Sequence, residues 1–223
     1  MRFDLHIHSN HSSDSSLPVD DILNLAVKKG LDGIAICDHN TISGSYLAQK
    51  RVKELNLPLL VLSGIEVSTA EGHLLILGVL ENFEPELLPE DTVRIAHKKG
   101  GVVIAAHPFK IRSIGSVDGL GVDAVETFNS RCIFGENKKA KEMAAALGIP
   151  EVGGSDSHML ATIGLGYTDI DADPDEESVL SAIREGRTIS GGKTVPLYVV
   201  FVQFMRGVLR RLRKKRTPQQ DFS

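Results

Sequence analysis

Most histidines in this chain, and the acids close to them, stand at or just beyond the end of a short apolar run. His6 and His8 end the run Phe3–Ile7, and Asp38 and His39 follow Gly33–Cys37. Glu66 lies after Leu59–Leu62, His107 closes Val102–Ala106, and Glu126 ends Asp123–Glu126. Asp156 and His158 follow Pro150–Gly153. Only His73 leads its run, His73–Val79, instead of following it. Runs of this length read as strands. The spacing predicts helices between them: from Pro18 to about Lys29, with Gly30 as its stop, and around Tyr46–Leu55, Thr92–Lys99, Glu136–Leu147 and Asp175–Glu185. Alternation of this kind predicts a mainly parallel sheet, open or closed into a barrel. In a parallel barrel the C-terminal ends of the strands converge on one face, where side chains remote in sequence share a site.

Spacing within the clusters fits that placement. Residues two apart in a strand point to one side, so His6 and His8 can aim two imidazoles at one ion while Ile7 packs into the core. Asp156-Ser157-His158 repeats the device if extended. A mixture of imidazole and carboxylate suits zinc, iron or manganese better than magnesium. A single strand-end histidine is more often a hydrogen-bonded structural residue. Seven of the eight histidines in or beside such clusters, counting His11 three residues past His8, with carboxylates interleaved, are not explained that way. His97, mid-helix beside Lys98 and Lys99, reads as structural.

Composition narrows the rest. With 223 residues, 42% hydrophobic and 24% charged, the chain can build one substantial core. Trp is absent and aromatics are few, so a base-stacking surface is not suggested. Two cysteines make no disulfide framework, and Cys37 reads as a small core residue. The sequence opens without a signal-like stretch and holds no run long enough to span a membrane, which predicts a cytoplasmic protein. The net charge of −4 hides an asymmetry: residues 206–216 carry seven Lys or Arg and no acid, leaving 18 basic against 29 acidic residues elsewhere, a net of −11. An acidic body disfavours broad nucleic-acid binding. Residues 1–195 therefore read as one domain and 196–223 as an amphipathic, basic tail, suited to packing on the domain, on another subunit or on an anionic membrane surface.

The motifs Asp4-Leu5-His6-Ile7-His8-Ser9, Cys37-Asp38-His39-Asn40-Thr41, Gly64-Ile65-Glu66-Val67, Ala106-His107-Pro108 and Gly154-Ser155-Asp156-Ser157-His158 resemble, in order, those of the PHP (polymerase and histidinol phosphatase) superfamily. Cys37 departs from the Thr usual before Asp-His. The resemblance implies a distorted (β/α)7 TIM-like barrel with a di- or trinuclear metal site at the C-terminal strand ends. It implies that His6, His8, Glu66 and Asp156 hold a first ion, and that Glu66 bridges to a second with His73 and His107. His39 and His158 would hold a third with a ligand from the loop after the first strand, where both His11 and Asp14 stand; the Ser-x-Asp-Ser pattern favours Asp14. Asp38, Glu126 and Asn129 are candidates for orienting those ligands.

The expected chemistry is phosphate-ester hydrolysis by a hydroxide bridging two of two or three divalent Zn, Fe or Mn ions, held about 3.5–4 Å apart. Glu66 and Asp156 are then catalytic as well as ligating. Lys110, Arg112 and Arg131 are candidate phosphate clamps, Arg131 first. The short stretch between His107 and Asp156 leaves no room for a capping domain, which points to a small phosphomonoester or a nucleotide. A nuclease guided by the basic tail and a metal-binding scaffold without turnover are the rival readings.

Overall fold

The computed structural model describes residues 1–196; the expectations for the tail lie almost wholly outside the described residues. In chain order the elements are β1 (Arg2–Ile7), α1 (Val19–Lys28), β2 (Gly33–Ile36), α2 (Ser43–Glu54), β3 (Leu60–Leu62), β4 (Gly64–Thr69), β5 (Gly72–Leu77) and α3 (Pro89–Lys98). They continue with β6 (Val102–Ala105), β7 (Ala124–Asn129), α4 (Glu136–Leu147), β8 (Glu151–Gly154), β9 (Gly166–Ile170), α5 (Glu176–Arg184) and β10 (Thr188–Gly192). Local chemistry accounts for the helix limits. Helix α1 starts after Pro18, carries Asp20 and Asp21 in its first turn, and buries Val19, Ile22, Leu23 and Ala26 on one face. Gly30, at φ +71°, turns the chain away from it. Asp175 caps α5 by accepting from the Ser178 N–H at 2.8 Å.

The strands do not form the expected (β/α)7 barrel. Among the described residues they make two five-stranded mixed sheets, ordered β10-β9-β1-β2-β3 and β4-β5-β6-β7-β8, and no ladder closes one onto the other. The reason is in the connections. A parallel crossover needs a dozen or more residues, usually with a helix, yet Ser63 alone separates β3 from β4, and two residues separate β4 from β5. Strand β5 therefore runs antiparallel to both β4 and β6, while β9 lies antiparallel to β1 and to β10. The triplets β1-β2-β3 and β6-β7-β8 keep the parallel arrangement.

Between the sheets lies a core of alternate strand residues: Phe3 and Leu5, Ala35 and Cys37, Leu75 and Leu77, Ile104 and Ala106. Val179, Leu180 and Ile183 of α5 join it. The intervening residues face outward under helices: Ile34 and Ile36 pack with Ile22, Leu23 and Ala48, and Leu74 and Ile76 pack with Val93 and Ala96. Ile7 joins the outer cluster under α1, as expected of the residue between two ligating histidines. Among the described residues, no helix is long and apolar enough to cross a membrane.

The sheets meet at two isolated bridges. One joins Ile7 to Ser157, with the His8 N–H donating to the Ser157 carbonyl at 2.9 Å. The other joins His39 to Glu66, with the Asn40 N–H donating to the Glu66 carbonyl at 2.8 Å. Both seams fall among the candidate ligands, so the junction of the two sheets is also where the site is built.

Candidate metal centre

The orientation of β5 explains the misplaced histidine. Because β5 is antiparallel to β6, its first residues lie beside the end of β6, and the Ala106 N–H donates to the His73 carbonyl. His73 thus reaches the same face as His107.

Glu66, 1% exposed, is the hub. Its Oε2 lies 3.4 Å from His6 Nε2, 3.2 Å from His8 Nε2 and 3.2 Å from His39 Nδ1. Its Oε1 lies 2.9 Å from His73 Nδ1 and 3.3 Å from His107 Nε2. Asp156 Oδ1 is 3.6 Å from His8 Nε2 and 4.0 Å from His6 Nε2. Asp14 Oδ2 meets His158 Nε2 at 2.8 Å and His39 Nε2 at 3.4 Å.

Four sets of donor atoms cluster closely enough to share an ion: His6-Glu66-His107, His6-His8-Asp156, His8-His39-Glu66 and His8-Asp14-His158. His73 is in none of these sets, though it touches Glu66, and His11 is in none either. The structure brings Asp14, and not His11, to the histidines.

The donor set passes a test of fit. Buried polar atoms are normally hydrogen-bonded, yet His8 Nδ1, His39 Nδ1, Glu66 Oε1 and His73 Nδ1 are buried without a hydrogen-bond partner. Among the described residues one other side-chain atom shares that state, Ser130 Oγ. His73 Nδ1 and Glu66 Oε1 are close, but not aligned for a hydrogen bond. Proximity without alignment is what donors aimed at a shared cation produce. The electrostatics agree. Burial opposes ionisation of Glu66, but His39 and His6 hold its carboxyl well below the usual range. Burial likewise opposes Asp156, and Arg131 and Lys110 outweigh it. His39 is raised to about 9 because Glu66 and Asp14 overcome its desolvation. His158 falls to about 4 through burial and its neighbours His8 and Arg131.

Around these donors stands a layer of orienting groups. Glu126, within β7, accepts from His6 Nδ1 at 2.9 Å and from the His107 N–H at 2.8 Å. Asn129 Nδ2 donates to the same carboxylate at 3.0 Å. Asp38 does not face the cluster; it accepts from Ser9 N and Ser9 Oγ, each at 2.6 Å, and ties the loop bearing Asp14 to the end of β2. His107 and Asp156 have left-handed backbones, at φ +31° and +52°, each costing about 1–3 kcal/mol. His97 bonds Asp123 at 2.9 Å, outside the site.

Gly154 makes the close approach of β8 to β1 possible. A Cβ there would stand 2.5 Å from His6 Cβ, 2.9 Å from His6 N and 3.1 Å from Glu126 Oε1. Gly154→Ala is expected to destabilise the chain by about 1–3 kcal/mol, the usual cost of overpacking, and to lower metal content by displacing His6. Denaturant unfolding and elemental analysis check both effects. A variant with wild-type midpoint and metal load would show that the seam can widen.

A cavity of about 660 Å³ opens over the cluster. Asp14, His39, Glu66, His73, His107, Asp156 and His158 form its floor, and Lys110, Arg112 and Arg131 stand on its wall. Arg131 Nη1 lies 3.0 Å from Asp156 Oδ1 and 3.0 Å from His158 Nδ1. The arrangement joins a floor of imidazoles and carboxylates that could hold cations to a cationic wall, a combination suited to a bound phosphate.

The sequence matches the PHP domain family over residues 4–107 and the PHP-associated family over residues 134–188. An uncharacterized protein of Methanocaldococcus jannaschii is 35% identical over 143 residues, 58% of this chain and 82% of that protein. A 5'-3' exoribonuclease of Haemophilus influenzae is 37% identical over 68 residues, 30% of this chain and 24% of the enzyme. Among solved structures, a two-domain protein of Bacteroides vulgatus containing a predicted PHP-like metal-dependent phosphoesterase superposes with a TM-score of 0.73 at 17% identity, over 86% of this chain and 65% of that one. On these matches the chain belongs to the PHP family.

Proposed function

We propose that this chain is a metal-dependent phosphoesterase that hydrolyses a small phosphomonoester or a nucleotide. The observation that carries the reading is the convergence of six histidines and three acids at and beneath the floor of a cavity whose wall holds Lys110, Arg112 and Arg131. In this reading His6, His8, Glu66 and Asp156 hold one divalent transition-metal ion, zinc, iron or manganese. Glu66, His73 and His107 hold a second, and Asp14, His39 and His158 a third. When bound, such ions supply positive charge for phosphoryl oxygens and an acidified water as nucleophile.

The protein's own groups do the rest. Arg131 binds a phosphate oxygen from the wall, and its contact with Asp156 fixes the guanidinium beside the floor. Glu126 holds the His6 ring so that Nε2 faces Glu66 and Asp156, and Asn129 holds Glu126. The cavity volume lies within the usual range for small-molecule sites.

The test pairs elemental analysis with phosphate release from phosphomonoesters, nucleotides and short oligonucleotides, before and after chelation. Two or three ions per chain, and turnover of small esters lost on chelation and restored by metal, are expected. No transition metal after reconstitution would sink the reading. Preference for oligonucleotides would favour a nuclease instead, the alternative raised by the match to the exoribonuclease. Metal without turnover of any ester would favour a binding role.

A further inference from the structure

The two carboxylates at the heart of the site are unequally partnered. Glu66 is met by five histidines, and among the described residues no lysine or arginine forms an ion pair with it. Asp156 has a cation on each oxygen: Arg131 Nη1 at 3.0 Å from Oδ1, and Lys110 Nζ at 2.7 Å from Oδ2. Asn129 Nδ2 adds a contact to Oδ2 at 3.4 Å. The oxygen nearest His6 and His8 is Oδ1, so Lys110 takes the outer oxygen and leaves the inner one to the cluster. Lys110 is held there by its loop, in which its own N–H donates to the His107 carbonyl and its carbonyl accepts from the Ser113 N–H. Ser113 Oγ in turn contacts His107 Nδ1 at 3.0 Å.

We infer that Lys110 is a positioning residue that makes the cation position completed by Asp156, with His6, His8 and Glu66, weaker and more exchangeable than the one held by Glu66, His73 and His107. The inference rests on the metal-centre reading above. A carboxylate that faces only imidazoles offers its whole charge to a divalent ion. One already neutralised by an ammonium and a guanidinium offers less, and its cations repel the incoming ion at close range in a desolvated pocket. Lys110 also orients Asp156, and loss of an orienting contact ordinarily weakens metal binding. At separations of a few ångströms the repulsion is the larger effect, so removing the ammonium tightens the site. The consequence is a centre that keeps the ion held by Glu66, His73 and His107 while the ion that Asp156 helps to hold exchanges with the surrounding pool.

Calorimetric titration of the metal-free, full-length chain with Mn²⁺ tests this, using wild type, Lys110→Met and Lys110→Arg, together with the melting temperature of each metal-free protein. Wild type is expected to show two affinity classes. Lys110→Met should tighten the weaker class by about tenfold or more, a shift of the size seen for changes around ligands, and leave the tighter class unchanged. Lys110→Arg should keep the wild-type pattern. Metal-free Lys110→Met should melt lower, because Asp156 loses a partner. Tighter binding with lower metal-free stability is a pair of opposite signs that a merely structural contact does not give. A single class in wild type, or a weaker class that Lys110→Met loosens or leaves alone, would overturn the inference. Absence of Mn²⁺ binding would overturn both this inference and the metal-centre reading. The expected shift in a chain that hydrolyses no ester would support it and overturn only the proposed reaction.

Discussion

Glu66→Gln is expected to remove the tightly held metal and to lower phosphate release by at least about 100-fold, the scale that changes merely adjacent to ligands already reach. Glutamine has nearly the same shape, so the argument is one of charge. Among the described residues, the Glu66 carboxylate is the one acid within 3.4 Å of nitrogens from all five of His6, His8, His39, His73 and His107. Five imidazoles drawn from both sheets contribute dipoles but no negative charge. Without the carboxylate, the divalent ion shared with His73 and His107 would have to leave water for a buried pocket with no anionic ligand, which is strongly unfavourable. Elemental analysis should show that loss directly, with a far-ultraviolet spectrum unchanged because the glutamine fits the same space. A variant that kept its metal and turned over at more than a tenth of the wild-type rate would move the hub elsewhere, with Asp156 the next acid to test.

Much of this site is legible in the sequence because strand ends and ligands coincide. His6, His8, His39, His107, Asp156 and His158 all follow apolar runs, and the structure gathers them. Part of what is not legible comes from the direction of the strands. Periodicity marks a strand without marking its direction, so His73 looked misplaced until the antiparallel course of β5 put its first residues beside the end of β6. Ser63 alone separates β3 from β4, a break too short to read as a connection between two strands. Strand β10 is largely half-exposed and ends in Ser-Gly-Gly, a composition that carries little strand signal. Those three strands, together with β9, turn an expected barrel into two open sheets. The Ser-x-Asp-Ser pattern favours Asp14 over His11, and the loop carries Asp14 to His158 and His39. Glu126 is legible as a candidate for orienting ligands, but its place inside β7 and its partners, His6 and the His107 backbone, are not.

Asp4→Ala is expected to cost about 3–6 kcal/mol of stability, and its signal was in the sequence all along. An acid between Phe3 and Leu5 in an apolar strand must have partners if it is buried. Asp4 is fully buried, and its carboxylate accepts from Ser155 N at 2.8 Å, Ser155 Oγ at 2.5 Å, Gly164 N at 2.7 Å and His6 N at 3.3 Å. Three of these donors come from the chain after β8, so Asp4 staples the start of β1 to the segment bearing Asp156. Ser155 Oγ can turn to Ser157 Oγ, 2.5 Å away, but the Ser155 and Gly164 N–H groups have no such exchange within the staple. Each buried donor left unsatisfied costs about 1–3 kcal/mol, and the missing carboxylate leaves a void that adds to it. The sum is a large share of the roughly 5–15 kcal/mol that holds a domain of this size folded. Urea unfolding of the metal-free variant should show a midpoint lowered accordingly. Metal content should fall with it, because Ser155 is the residue before Asp156 and moves that ligand when released. An Asp4→Ala protein with a wild-type midpoint would mean that the bridge between Ile7 and Ser157 holds the seam without the carboxylate.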